Sequence, residues 1–166
     1  SVSRTLLIEL LDQIEGVDSI EVAGENSPNA LTIAGDLDDL ETLGALLSSQ
    51  GKFYRLLDLN YAFHSRKMDP IEASVKTNLE SLSPQRESSC FISTVTGAPL
   101  SGTELGAEYW WKNIRQPVLF GKAIEHLIDD GFNVFVEIGP HPILRSYINE
   151  SLKNKGTHGQ ALETLK

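Results

Sequence analysis

The chain is 166 residues long, with 40% apolar and 22% charged residues, the make-up of a soluble folded protein of one domain or two small ones. A net charge of -9 argues against nucleic acid as the main partner, because phosphate binding draws on Lys and Arg. No apolar run reaches the ~18 residues of a membrane span, and Ser1 to Ile14 lacks the basic start, apolar block and small-residue cleavage site of a secretory leader. A single cysteine, Cys90, rules out an internal disulfide framework and fits a reducing, cytoplasmic compartment.

The first helix is expected after Ser3 as cap. Leu6, Leu7, Leu10, Leu11 and Ile14 recur at helical spacing and Gly16 ends the pattern. Ser19 to Ala23 and Ala30 to Ala34 read as strands, joined as a hairpin by Asn26, Ser27, Pro28 and Asn29. Asp36 can cap a second helix carrying Leu37, Leu40, Leu43, Leu46 and Leu47, with Gly51 as its stop. Lys52 to Asn60 is a strand candidate. Helix, strand, strand, helix, strand is a ferredoxin-like βαββαβ unit without its first strand. In that topology the first strand lies between the third and the fourth, so the expectation is that it belongs to chain preceding Ser1. A differently wired small α+β domain is the alternative.

Beyond residue 60, Pro70 to Leu82 reads as a helix, Ser83 to Gln85 as a loop and Phe91 to Val95 as a strand ending at Thr96-Gly97. Tyr109 to Ile114 is a short aromatic helical segment. Val118 to Asp130 is the best amphipathic helix, with Phe120, Ala123, Ile124, Leu127 and Ile128 inward and Gly131 as stop. Asn133 to Ile138 reads as a strand, "GPHP" at 139–142 as a sharp turn, and Ile143 to Leu152 as a last helix. This βα succession points to part of an α/β layer. The tail, 153–166, is polar and reads as a linker.

Four histidines are present: His64, His126, His141 and His158. His126 and His158 read as inert, and His141 as a turn histidine between two prolines. His64 stands in "NYAFHSRKMDP", between a predicted strand and a predicted helix. Strand ends are where catalytic residues gather in α/β folds, although a packed structural role is the commoner fate of such a histidine. A histidine base needs a nucleophile. The chain holds no Gly-x-Ser-x-Gly elbow. Cys90 sits at a predicted strand start with no cationic helix end beside it, a poor setting for a thiolate. No CxxC, HxxxH or HExxH offers a metal site, and no glycine loop offers a phosphate cradle. On chemistry alone this is a base without a nucleophile.

The runs "NSPNALTIAGD" (26–36), "YAFHSRKMDP" (61–70), "STVTGAPL" (93–100) and "EYWWKNIRQPVLFGKAIEHLIDDGFNVFVEIGPHPIL" (108–144) resemble the acyltransferase domain of modular type I polyketide synthases, in order over most of the chain. The resemblance implies an α+β and α/β architecture in two parts. Residues 1–60 match a ferredoxin-like small subdomain, 61–152 match the C-terminal part of an α/β hydrolase-like large subdomain, and 153–166 would be the linker that follows. The half carrying a Gly-His-Ser-x-Gly elbow and a carboxylate-binding arginine has no counterpart in this sequence.

By position, the resemblance makes His64 the catalytic histidine and Asn113 the residue whose main-chain carbonyl aims its ring. Tyr61, Ala62 and Phe63 fall on the selectivity box. There a phenylalanine at 63 goes with malonyl units, while tyrosine at 61 is more usual with methylmalonyl. The implied reaction moves a short acyl unit, malonyl by the steric argument, from CoA to the phosphopantetheine thiol of an acyl carrier protein by a Ser-His ping-pong route. It needs no bound metal or redox cofactor. Implied partners are the carrier protein, the missing N-terminal half and neighbouring synthase domains, with no nucleic acid and no membrane. The chain alone is expected to be inactive. The rival reading is a non-catalytic α+β scaffold or interaction module within a multidomain synthase.

Overall fold

The computed structural model describes residues 2–59 and 61–165. Helix α1 (Arg4–Leu11) starts where Ser3 accepts a hydrogen bond from the Leu6 N–H. Strands β1 (Glu21–Ser27) and β2 (Ala30–Ala34) form the expected antiparallel hairpin, with the first strand shifted towards the turn. Helix α2 (Leu37–Ser49) follows, and Gly51, at φ 66°, closes it in the left-handed conformation glycine takes without penalty. Leu7, Leu10, Leu43 and Leu47 are buried together beneath the hairpin, each worth ~1.5–3 kcal/mol of apolar burial.

No strand forms over 52–59, and Asn60 lies outside the described residues. Among the described residues no strand lies alongside that segment to pair with its backbone. Phe53 is consequently 81% exposed. Tyr54 alone turns inward. Its ring occupies the space over Gly44, where an added Cβ would come within 2.5 Å of it, and its hydroxyl donates to the Leu40 carbonyl at 2.9 Å.

The predicted helix at 70–82 splits into a 3-10 turn (Arg66–Ile71) and a shorter α3 (Glu72–Asn78), with Pro70 inside the tighter turn. The predicted strand at 91–95 shrinks to β3 (Ile92–Ser93), paired with β4 (Ala98–Pro99) across the Thr96-Gly97 turn. Helices α4 (Ala107–Arg115) and α5 (Phe120–Asp129), strand β5 (Val134–Glu137) and α6 (Arg145–Asn154) match the reading in order and type.

The tail departs from it. Gln160–Glu163 is a strand, β6, paired in parallel with β5. Gly156 at φ 65° ends α6, and Gly159 lets the backbone pass close to the Asn133 carbonyl. Ala161 is then buried beside Ile124, Ile128, Ile148 and Leu152 in a second core. One small inward residue, beside an exposed Leu162 and flanking polar residues, is too weak a pattern to mark a strand in sequence.

The two cores meet along β1. The Glu25 N–H donates to the Val118 carbonyl at 2.8 Å and the Val118 N–H to Ala23 at 2.9 Å. Ser27 and Asn29 bond the Glu150 carboxylate of α6, and Gly121 lets α5 approach the Ser27 backbone. The whole is an α+β fold with a β5–α6–β6 parallel unit at one end.

Candidate active site

His64 lies just after the exposed 52–59 segment, on the loop that leads into the 3-10 turn. Ser65 holds that loop. It is 1% exposed, its hydroxyl donates to the Ala62 carbonyl at 2.7 Å, and it accepts from the Lys67 N–H at 3.3 Å. His64 itself has φ 63°, the only non-glycine left-handed residue among those described. Such a conformation costs ~1–3 kcal/mol and persists where the surroundings over-determine it.

The surroundings here are the C-terminal end of α4. A helix leaves its last carbonyls without intrahelical donors, and Pro117, having no N–H, removes the donor that the Asn113 carbonyl would otherwise receive. His64 supplies two donors to this end. Its main-chain N–H reaches the Ile114 carbonyl at 2.8 Å, and ring Nδ1 lies 2.8 Å from the Gln116 carbonyl. The ring contact is therefore with Gln116, one helical turn beyond the expected Asn113. The expected partner was the Asn113 carbonyl; the chain's exit into Pro117 brings the later carbonyl to the ring instead. Because a carbonyl only accepts, Nδ1 carries the proton. The lone pair is thereby left on Nε2, the tautomer a general base requires.

Helix α4 is itself anchored. Tyr109 and Trp111 are buried, and the Tyr109 hydroxyl and Ser93 Oγ are 3.0 Å apart in the interior. Lys76 of α3 bridges Glu72 and Glu108, at 2.6 and 2.7 Å. These hydrogen bonds hold the Glu108 carboxyl below its ordinary range and the Lys76 ammonium above its own.

Tyr61, Ala62 and Phe63 run directly up to the histidine. The Tyr61 and Phe63 rings are tilted together with centroids 4.7 Å apart, and Phe63 lies 6.4 Å from the imidazole. Both aromatic side chains are substantially exposed. His64 also borders an open cleft of about 320 Å³, bounded by Leu7, Ile8 and Leu11 of α1, Ile20 and Val22 at the start of the hairpin, and Arg115 and Pro117. His64 is thus half-buried at the rim of a cleft between the two parts of the molecule.

Sequence reasoning missed two residues that shape the His64 region, Ser65 and Glu21, and a third, Glu137, that shapes the "GPHP" turn away from it. Ser65 pins the loop, and its position directly after the histidine was the only signal. Glu21 joins the hairpin to the histidine loop by accepting from the Arg66 N–H at 2.9 Å. Glu137 accepts from the N–H groups of Ile143, Leu144 and Arg145 at 2.9–3.1 Å. It thereby closes the "GPHP" turn onto the start of α6, and an acid two residues before a Gly-Pro turn that leads into a helix was its signal. Among the described residues no cluster of His, Cys, Asp and Glu is arranged to hold a metal, and no helix is long and apolar enough to cross a membrane.

The family model described as acyl transferase domain matches residues 2–165. Polyketide synthase GfsB of Streptomyces halstedii is 36% identical over 148 residues, covering 89% of this chain and 3% of that protein. The acyltransferase domain from module 8 of the salinomycin polyketide synthase superposes with a TM-score of 0.93 at 31% identity, covering 99% of this chain and 38% of that one. The acyltransferase domain of SpnD, solved in complex with 2-(pent-4-yn-1-yl)malonyl, superposes with a TM-score of 0.83 at 28% identity, covering 98% of this chain and 38% of that one. The chain thus spans a small fraction of the synthase and well under half of either solved domain.

Proposed function

The chain belongs to the acyl transferase domain family, and on that premise we propose that it is the histidine-bearing part of a polyketide synthase acyltransferase. The complete domain moves a malonyl-type unit from CoA to the phosphopantetheine thiol of an acyl carrier protein. The observation that carries this reading is the 2.8 Å contact from His64 Nδ1 to the Gln116 carbonyl, which fixes the proton on Nδ1 and leaves Nε2 as the base.

The chemistry runs in two halves. A serine hydroxyl from the rest of the domain attacks the CoA thioester carbonyl while Nε2 takes its proton. The tetrahedral intermediate collapses, the C–S bond breaks, and Nε2 returns the proton to the departing CoA thiolate, leaving an acyl-serine. In the second half Nε2 takes the proton of the carrier-protein thiol as its sulfur attacks the acyl-serine. The serine oxygen then leaves and recovers a proton from the ring. The Gln116 carbonyl faces the ring's other edge throughout and steadies the cation that forms twice per cycle. It does so more weakly than a carboxylate, the usual third member of a serine triad.

Phe63, whose ring lies beside the base, would narrow the space next to the acyl α-carbon and favour malonyl over a branched unit. The malonyl derivative bound to the SpnD domain supports the substrate class. Carrier protein and neighbouring synthase domains are the partners this role requires. The scaffold reading leaves the left-handed backbone of His64 and the carbonyl tether on its ring without a use. Transfer from malonyl-CoA to a carrier protein, followed by mass spectrometry of the carrier, tests the proposal. The complete domain is expected to transfer and this 166-residue chain alone is not. Transfer or rapid malonyl-CoA hydrolysis by the chain alone would overturn it.

A further inference from the structure

We propose that Glu21 is a positioning residue for His64, acting on both segments that hold the imidazole; the inference rests on the reading of His64 as the base. Glu21 is the first residue of β1 and is paired in the hairpin ladder with Ala34, so its backbone is fixed by the small subdomain. Its carboxylate reaches out of that subdomain in two directions. Oε1 accepts from the main-chain N–H of Arg66 at 2.9 Å and lies 3.5 Å from the Arg66 Nε. Oε2 lies 3.5 Å from Nη1 of Arg115.

Arg66 follows His64 by two positions and opens the 3-10 turn. Arg115 immediately precedes Gln116, whose carbonyl receives the ring. One carboxylate therefore joins the loop that carries the imidazole to the helix end that orients it, and fastens both to the sheet. Two neighbouring contacts reinforce the arrangement. Arg66 Nη2 donates to the Asp18 carbonyl at 2.6 Å, and Arg115 Nε pairs with Asp69 at 2.5 Å.

The arrangement differs from an exposed ion pair, which contributes little to anything. The Glu21 and Arg115 side chains are only 26% and 27% exposed, and the shortest Glu21 contact is to a main-chain N–H that cannot swing away. That contact also resists the left-handed backbone at His64 relaxing towards an ordinary conformation. Losing it lets the loop drift from the helix end, and the Nδ1 hydrogen bond is the first casualty because it depends on both segments staying in register.

The test uses the 166-residue chain with ¹⁵N-labelled histidine, and in parallel the complete acyltransferase domain. In the unaltered chain His64 is expected to show a single tautomer protonated at Nδ1. In Glu21→Ala its two ring nitrogens are expected to average between tautomers, and Glu21→Gln, which keeps an acceptor for the Arg66 N–H, restores the single tautomer. In the complete domain Glu21→Ala is expected to lower kcat on the order of 10-fold, inside the ~100-fold that a 1 Å misplacement can cost. KM for malonyl-CoA is expected to stay within about two-fold, the signature of an interaction that serves the chemical step.

Where the alanine variant does not fold, Glu21→Leu, which keeps side-chain bulk in the strand, carries the same readouts. An unchanged Nδ1 tautomer in Glu21→Ala or Glu21→Leu, or a glutamine variant no better than alanine, would overturn the assignment. His64→Ala is the separate control for the base: full transfer in that variant refutes the catalytic reading, while the tautomer measurement still judges Glu21.

Discussion

The Nδ1 of His64 and the main-chain carbonyl of Gln116 are 2.8 Å apart, and the same histidine's N–H reaches the Ile114 carbonyl, so one residue closes two vacant acceptors at the end of a helix. The oxygen that orients the ring belongs to the backbone. Gln116→Ala and Asn113→Ala in the complete domain are therefore each expected to leave kcat within about two-fold of the unaltered enzyme, since no side-chain group leaves the histidine. Steady-state transfer kinetics check this. A loss as large as that of a histidine variant would assign a side chain, not a carbonyl, to the orienting role.

Phe63 stands beside the imidazole and against Tyr61. Phe63→Ser opens that corner and is expected to move selectivity towards methylmalonyl-CoA by ~1–3 kcal/mol, the ordinary worth of one methylene in a pocket. Competition between the two CoA thioesters, read as the ratio of acylated carrier proteins, gives the shift. Preference for methylmalonyl with Phe63 in place would contradict steric exclusion as the cause.

Acid stability follows from three carboxyls held below their ordinary values. Asp39 accepts from Ser19, Glu87 from the Gly102 N–H and the Ser101 hydroxyl, and Glu108 from Lys76. A carboxyl with a lowered folded value contributes stability that is present in full above its unfolded value and disappears as pH falls through the folded one. The melting temperature is therefore expected to hold down to the ordinary values, 3.8 for Asp39 and 4.5 for the two glutamates, and to fall below them. Asp39→Asn, which cannot ionise, is expected to flatten part of that fall. A thermal melt series across this range checks both.

The helices were legible because their apolar residues keep a 3.6-residue period around strong stops. Leu7, Leu10, Leu43 and Leu47 are buried as that period requires, and Gly51 ends its helix in the left-handed conformation. Strands were less so. Gln160–Glu163 offers only Ala161 to the core, and its pairing with β5 is a relation between distant segments that no local pattern encodes. The 52–59 run has the apolar content of a strand, yet strandhood needs a neighbour.

At the site, His64 and the residues before it were singled out from their resemblance to a family, and the Asn113 carbonyl was expected to face the ring. The Gln116 carbonyl was not legible, because the choice between Asn113 and Gln116 depends on how the chain leaves α4 into Pro117. Glu21 lies far from His64 in sequence, and nothing in its own neighbourhood announces the contact.

The role of His64 is tested most directly by trapping the first half-reaction. The complete domain, mixed with malonyl-CoA and quenched, is read by intact mass for the acyl-serine, with and without His64→Ala. The unaltered domain is expected to acylate rapidly, and the variant to do so ~10²–10⁴-fold more slowly, the usual worth of a positioned acid–base group. Acylation of His64→Ala at the unaltered rate would contradict the assignment of this imidazole as the base.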